Sequence, residues 1–550
     1  MIVAEAVGRT LARLGVRRVF GVVGSGNFHV TNALVDGGAR FVAARHECGA
    51  TMMADAYARV SGEVSAVSLH QGCGLTNALT GITEAAKSRT PLLVLAADTG
   101  GAAVRSNFRI DQDAVAVAVG AVAERTHTPA SALADTVRAY RRAVTERRTV
   151  VLNLPLDVQA AECPGGLDAA PVPSVPARPA PAPEAVRELG DLLGAARRPV
   201  FLAGRGAVVS DARDALVELA DACGALLGTS AVANGLFHGE PWSLGISGGF
   251  ASPLAAELIE GADLLVGWGC SLTMWTTRHG RLVGADTRVV QVDLDVDQIG
   301  ANHPVALGVL GDVRETAVAV AADLADRGHT ATGYRSPELR DRIAAEGRWR
   351  DLAYDDESTA DLIDPRTLTI GLDGLLPAER VVAVDSGNFM GYPAAFLTVP
   401  DERGFCFTQS FQSVGLGLGT AVGAALARPD RLPVAALGDG GALMAAAELE
   451  TVARLRLPML VVVYDDAAYG AEVHHFGPDG LPLHTVRFPD TDIAAIAAGH
   501  GFDAVTVRRR SDLDAVRAWV AGPRDRPMLV DAKVVADHGA WWLEEAFRGH

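Results

Sequence analysis

The sequence predicts an α/β protein of three domains, because short apolar runs alternate with helical patterns along its length and two changes in composition interrupt that alternation. At 550 residues the chain is too long for one hydrophobic core. Its 49% hydrophobic content and 59 glycines fit helices packed on parallel sheets. No apolar run approaches the ~18 residues of a membrane-spanning helix, so no membrane association is expected.

Taken in order, Ile2-Val3-Ala4-Glu5-Ala6-Val7 opens as an amphipathic helix without a basic leader or cleavage site, and a cytoplasmic protein is expected. Strand patterns follow at 18–20, 41–43, 66–69, 92–95 and 150–154, and Ala50 to Ala58 reads as a helix. These make a first domain over residues 1–163. Residues 164–183 are dense in Pro and Ala, with Pro171-Val172-Pro173 and Pro179-Ala180-Pro181, and read as an extended linker. A central domain, 184–325, repeats the alternation at 200–204, 264–267 and 289–293, and its Gly204-Arg205-Gly206 turn is suited to face a nucleotide. A polar stretch sets a second linker over 326–365. The last domain, 366–535, opens on Arg380 to Asp385 and closes on Pro527 to Ala532, leaving a tail over 536–550.

A formal charge of −17 disfavours nucleic-acid or anionic-membrane partners, which require a concentrated basic surface. The six cysteines are dispersed with no Cys-x-x-Cys pair, so reduced thiols are expected and a zinc site is not. Lys87 and Lys533 are the only lysines, which excludes Schiff-base chemistry at any third position.

The chemistry concentrates in Gly438-Asp439-Gly440-Gly441 and, further on, Asp466-Ala467-Ala468-Tyr469-Gly470. Asp439 ends the apolar run 432–437, the glycines allow a phosphate to approach the backbone, and Ala442 to Leu455 continues with helical spacing. A second run, 458–464, delivers Asp465 and Asp466 to the same carboxyl edge. Oxygen ligands from two strand ends, completed by phosphate and water, suit Mg²⁺.

This layout resembles the signature of the thiamine-diphosphate enzymes of the acetohydroxyacid synthase, benzoylformate decarboxylase and pyruvate decarboxylase superfamily, with Asp465-Asp466 standing where Asn-Asn is usual. The resemblance covers the whole chain. It implies two similar doubly wound thiamine-diphosphate-binding domains, pyrimidine-binding then diphosphate-binding, flanking a Rossmann-like central domain. It also implies thiamine diphosphate and Mg²⁺ as cofactors, with Asp439, Asp466 and Ala468 as the metal-binding positions. Active sites at the interface of a homodimer or homotetramer are implied as well.

Arg45-His46-Glu47 is similar to the family's catalytic motif, in which a carboxylate on the pyrimidine N1′ stabilises the tautomer that deprotonates the thiazolium; Glu47 is that candidate. In Ser410 to Gly419, Val414 takes the place of the residue wedged beneath the cofactor, with Gln412 beside it. Asp385, Gly387 and Asn388 are expected to close over the same ligand, with Gly438, Gly440, Gly441, Tyr469 and Gly470. Ser25 and His70 resemble the pair that handles carboxylate and protons in benzoylformate decarboxylase. Glu472 matches the pocket glutamate of the pyruvate decarboxylases, and His475 falls at an aromatic pocket position.

The expected function is thus decarboxylation of a 2-oxo acid to an enamine that is ligated to an aldehyde or ketone acceptor, as in acetolactate synthase. Protonation to an aldehyde, a 2-hydroxyacyl-CoA lyase and a flavin-dependent oxidase are the alternatives, although no motif supports FAD. A non-catalytic homologue is disfavoured by Glu47 and Asp439.

Overall fold

Apolar runs that are covered on both faces become central strands of parallel sheets, and this chain forms three such sheets of six strands. The computed structural model describes residues 1–170, 176–331 and 333–548, so residues 171–175 of the Pro/Ala segment and the end of the tail lie outside the described residues. The first sheet contains β1 (Arg18–Gly21), β2 (Arg40–Ala43), β3 (Ser65–Leu69), β4 (Leu92–Asp98), β5 (Val122–Arg125) and β6 (Thr149–Pro155). The second contains β7 (Pro199–Ala203), β8 (Leu226–Thr229), β9 (Ser243–Ile246), β10 (Leu264–Trp268), β11 (Arg288–Asp293) and β12 (Leu307–Leu310). The third contains β13 (Arg380–Val384), β14 (Phe405–Phe407), β15 (Leu432–Gly438), β16 (Leu460–Asp465), β17 (Asp503–Val507) and β18 (Met528–Lys533).

The outer sheets run β2-β1-β3-β4-β6-β5 and β14-β13-β15-β16-β18-β17, which is one topology used twice. The central sheet, β12-β11-β10-β7-β8-β9, has the order of a Rossmann fold. The strands not anticipated from sequence are β5, β8, β9, β12, β14 and β17, and all but β8 lie at a sheet edge. β17 is buried fully only at its last residue, so its apolar pattern is weak, whereas β14 is buried throughout but only three residues long.

The outer sheets share one core through two helices, Glu47–Ser61 and Gly417–Ala427. Small residues let them touch: a Cβ on Gly419 would lie 3.1 Å from the Met52 Cβ, and one on Gly423 would overlap the Met53 carbonyl. At the junction of all three domains, Arg59 is buried between Asp55 (2.7 Å) and Glu84 (3.0 Å).

Three expectations are corrected. The Gly204-Arg205-Gly206 turn does not face a nucleotide. Gly206 donates its N–H to the Gly269 carbonyl at 2.9 Å, a Cβ on Gly204 would strike Cys270, and Arg205 reaches across to the Ser88 carbonyl of the first domain. The glycines serve backbone packing here. The polar stretch 326–365 contains a helix, Pro337–Glu346, capped by Ser336 and burying Leu339 and Ile343, four residues apart, in the central domain. The helix expected over 442–455 is broken into Asp439–Met444 and Glu448–Arg454. At the break Glu448 turns inward, where its Oε1 accepts the N–H groups of Arg45 (3.0 Å) and His46 (2.9 Å).

Candidate active site

In the third sheet the strand order reverses between β13 and β15, and a crevice opens beyond their carboxyl ends. A cavity of about 290 Å³ occupies it. Gly387 and Asn388 after β13, Gly438 to Gly441 after β15, and Asp466 and Ala468 to Gly470 after β16 line it, and Gln412, Val414 and Glu472 complete the wall. The cofactor-binding positions expected from the sequence therefore converge here, with one exception.

That exception is Asp385. Its side chain is fully buried and accepts N–H groups from Ser386 (2.8 Å), Gly415 (2.9 Å) and Leu416 (3.1 Å). Burial pushes its carboxyl up to about 6 against the pull of those bonds. Asp385 shapes the cavity from beneath, holding the turn that carries Val414, and does not line it. A Cβ on Gly441 would collide with it.

Asp439 and Asp466 both line the cavity, close enough for the charge of Asp466 to act on Asp439. Burial, then the charge of Asp466, pushes Asp439 up to about 7; burial, opposed by N–H and amide donors from Ala468 and Asn388, puts Asp466 at about 7. Asp465 points elsewhere: its Oδ2 accepts from Lys533 Nζ at 2.6 Å and its Oδ1 from the Ala467 N–H at 3.0 Å. Lys533, which the sequence reading left without a role, also lies 2.6 Å from Asp490 and 3.2 Å from Asp531. It neutralises the buried Asp465 and Asp531 behind the site, and among the described residues neither Asp439 nor Asp466 forms an ion pair. Among the described residues no cluster of three His, Cys, Asp or Glu forms a complete metal cage, so an ion here would draw its remaining ligands from backbone, water and phosphate, as Mg²⁺ does. Two lining polar atoms, Asn388 Oδ1 and Gln409 Nε2, are buried without a hydrogen-bond partner. These features fit a bound polar cofactor with a metal ion.

The candidates of the first domain lie apart from this cavity. Glu47 begins the helix Glu47–Ser61 and accepts from Asn77 Nδ2 at 3.0 Å. Ser25 Oγ sits 3.5 Å from His70 Nε2, with the Phe108 ring edge-on to the imidazole at 5.1 Å. The fold thus brings Ser25 and His70 together across 45 residues, yet none of these three lines the cavity of its own chain. His475 does not line it either. Its ring stacks on Phe547 at 4.1 Å, and it is Phe547, with His538, Leu543 and Ala546, that reaches the cavity from the tail. The helix Trp541–Ala546 is anchored by buried Trp542, whose Nε1 donates to the Asn388 carbonyl at 2.9 Å. The paired tryptophans were the available signal that the tail is part of the fold.

Three family profiles match the chain in the order of its sheets: "Thiamine pyrophosphate enzyme, N-terminal TPP binding domain" over residues 1–134, the central domain over 186–320 and the "C-terminal TPP binding domain" over 385–532. The chain belongs to the thiamine pyrophosphate enzyme family. It is therefore a thiamine-diphosphate-dependent enzyme of lyase or transferase type. Among relatives of this thiamine pyrophosphate enzyme, a Pseudomonas aeruginosa protein described as "Probable 2-ketoarginine decarboxylase AruI" is 30% identical over 93% of this chain and 89% of that one. A sulfoacetaldehyde acetyltransferase of Roseovarius nubinhibens is 28% identical over 100% of this chain and 94% of its own. In fold, a Rhodococcus jostii thiamine diphosphate-dependent 4-hydroxybenzoylformate decarboxylase superposes with a TM-score of 0.83 at 21% identity, covering 98% of this chain and 100% of that chain. No helix among the described residues is long and apolar enough to cross a membrane.

Proposed function

We propose that the enzyme uses thiamine diphosphate and Mg²⁺ to decarboxylate a 2-oxo acid and ligate the resulting acyl-anion equivalent to an acceptor carbonyl, in the manner of acetolactate synthase. The observation that carries the decarboxylation is the convergence of Asp439, Asp466 and the glycine-rich turns on one cavity, with Glu47 presented at a separate surface. Carboligation is supported by relatives that include acetyltransferases and a Methanocaldococcus jannaschii protein described as a probable acetolactate synthase large subunit, 25% identical over 91% of this chain.

When bound, thiamine diphosphate would supply a carbon nucleophile for the keto group and a cationic ring to take up the electron pair released with CO₂. Asp439, Asp466 and the backbone at Ala468 would hold the metal, and Val414 would support the cofactor from below. Glu47 would hold a proton at the pyrimidine N1′. The cavity is open to solvent in one chain, with its lining residues Val414 and Tyr469 at 37% and 38% exposure. A homodimer, or a homotetramer built from it, would let the first domain of one copy deliver Glu47, Ser25 and His70 to the cavity of the other. Glu472, which lines the cavity, would act on the acceptor carbonyl.

A second reading, release of an aldehyde by protonation, is supported by the Ser25–His70 contact, which would serve to relay a proton to the reacting carbon. One experiment separates the two: the cofactor-loaded enzyme is incubated with a panel of 2-oxo acids with and without acceptor aldehydes, and products are read by mass spectrometry. Hydroxyketone or acetohydroxy acid formation supports ligation, and aldehyde alone supports protonation. Turnover of none of the panel would overturn both.

A further inference from the structure

A second cavity, of about 260 Å³, lies where the first and third domains meet at the amino-terminal ends of their strands. Arg431 directly precedes β15 and Asp439 directly follows it. The seven residues of β15, at ~3.3 Å each, separate the two sites by about 23 Å. Three arginines line the cavity: Arg18 and Arg40 from the first domain and Arg431 from the third. Arg18 and Arg40 are register partners on the paired strands β1 and β2, so their side chains leave the same face of the sheet. Arg18 lies over the Tyr57 ring, 5.6 Å from its centroid, and neither Arg18 nor Arg40 forms an ion pair among the described residues.

Arg431 is buried and held by Asp401 through Nη1 at 2.8 Å, while its Nε lies 3.3 Å from Glu379 without a hydrogen bond. Glu63, the other carboxylate close to Tyr57, accepts from the Tyr57 hydroxyl at 2.7 Å. The remaining walls are apolar, formed by Leu426, Leu457 and Pro458 among others. In a chain of charge −17, Arg18 and Arg40, which form no ion pair among the described residues, make a local reversal of potential at the mouth of an apolar cavity, whereas the charge of Arg431 is already met by Asp401, bound through both Nη atoms. Guanidinium is also the side chain best suited to bind oxyanions in two-point fashion.

We propose that this cavity is a binding site for a small organic oxyanion, a carboxylate or phosphate carried on a short apolar body, which bridges the two cofactor-binding domains. The charged end meets Arg18 and Arg40, and the body fills the space between the leucines and prolines. The volume admits a small metabolite and no nucleotide. An occupant touching both domains raises the stability of their packing by mass action. The site is independent of the reaction assigned to the enzyme.

The test uses the full-length enzyme saturated with thiamine diphosphate and Mg²⁺, so that the diphosphate site is filled. Isovalerate, which has an apolar body, and inorganic phosphate, which has none, are titrated by calorimetry and by the shift in Tm. Isovalerate is expected to bind at one site per chain and to raise the Tm, and phosphate to bind at least ~5-fold more weakly. Arg40→Glu, an exposed substitution, should weaken isovalerate at least ~10-fold, as expected for loss and reversal of a charge-assisted contact, while kcat on any substrate of the enzyme stays unchanged. Absence of saturable binding, equal affinity in Arg40→Glu, or phosphate binding as tightly as isovalerate would each overturn the proposal.

Discussion

Replacing Asp466 by Asn should change not only the strength but the pH dependence of metal binding. In the native chain Asp439 and Asp466 both sit at about 7, and a metal ion binds only the ionised carboxylates. One pH unit below such a value roughly one carboxyl in eleven is ionised, and one unit above it roughly ten in eleven are. For two sites the product rises about 100-fold between pH 6 and pH 8. The variant keeps only Asp439, whose upward shift is then reduced because Asp466 is its second cause after burial. Its metal affinity should therefore rise less than about 10-fold over the same range.

The sign follows from the direction of the shifts. Both folded-state values exceed the ordinary carboxylate value of about 3.9, so without metal the pair disfavours folding above pH ~7, and this penalty vanishes below pH ~4. Metal binding relieves it most at high pH. Mg²⁺ titrations of both proteins with thiamine diphosphate in excess, at pH 6, 7 and 8, provide the assay. Comparing variant with native protein cancels the cofactor's own titration. Parallel pH profiles for the two proteins would show that residue 466 is not a metal ligand.

Glu47→Gln is expected to leave the Tm within a degree or two while slowing C2–H exchange of bound thiamine diphosphate by about 10²-fold or more, read by quenched-flow NMR; native exchange rates would remove Glu47 from the mechanism. Lys533→Met strands the buried Asp465 and Asp531 without their cation and should cost about 3–5 kcal/mol of stability by denaturant unfolding. A loss below about 1 kcal/mol would mean that those carboxyls are already protonated. Gly423→Ala places a methyl group on the Met53 carbonyl and should destabilise by about 1–3 kcal/mol. Gly374→Ala, also in a helix but with nothing within 4 Å of the added carbon, should be neutral or stabilising.

The features legible in the sequence were those whose energetics are local to a short stretch of chain. The central strands announced themselves because burial on both faces demands an unbroken apolar run, as at 92–95 and 460–463. The turn at Gly438 to Gly441 was readable because its glycines mark close packing: a Cβ on Gly441 would strike Asp385, and one on Gly438 or Gly440 would crowd Phe389 or Tyr469. Edge strands such as β12 and β17, whose pattern is diluted by solvent, were not. The capped helix Pro337–Glu346 was missed although Ser336-Pro337 marks its start, because its two buried side chains make a faint stripe in a polar segment.

Which polar group meets which emerges only in the packed chain. The sequence put Asp385, Asp439, Asp465 and Asp466 at the carboxyl edge of one sheet, but it took the fold to turn Asp385 onto three backbone N–H groups and Asp465 onto Lys533. Ser25 met His70, and His475 met Phe547, through contacts that span tens of residues. A carboxylate's role depends on its desolvation and on its nearest charges, and both are set by chain segments remote in sequence. Apolar periodicity, summed over many residues, fixes the elements; one charge's partner rests on a few ångströms of packing that no local pattern encodes.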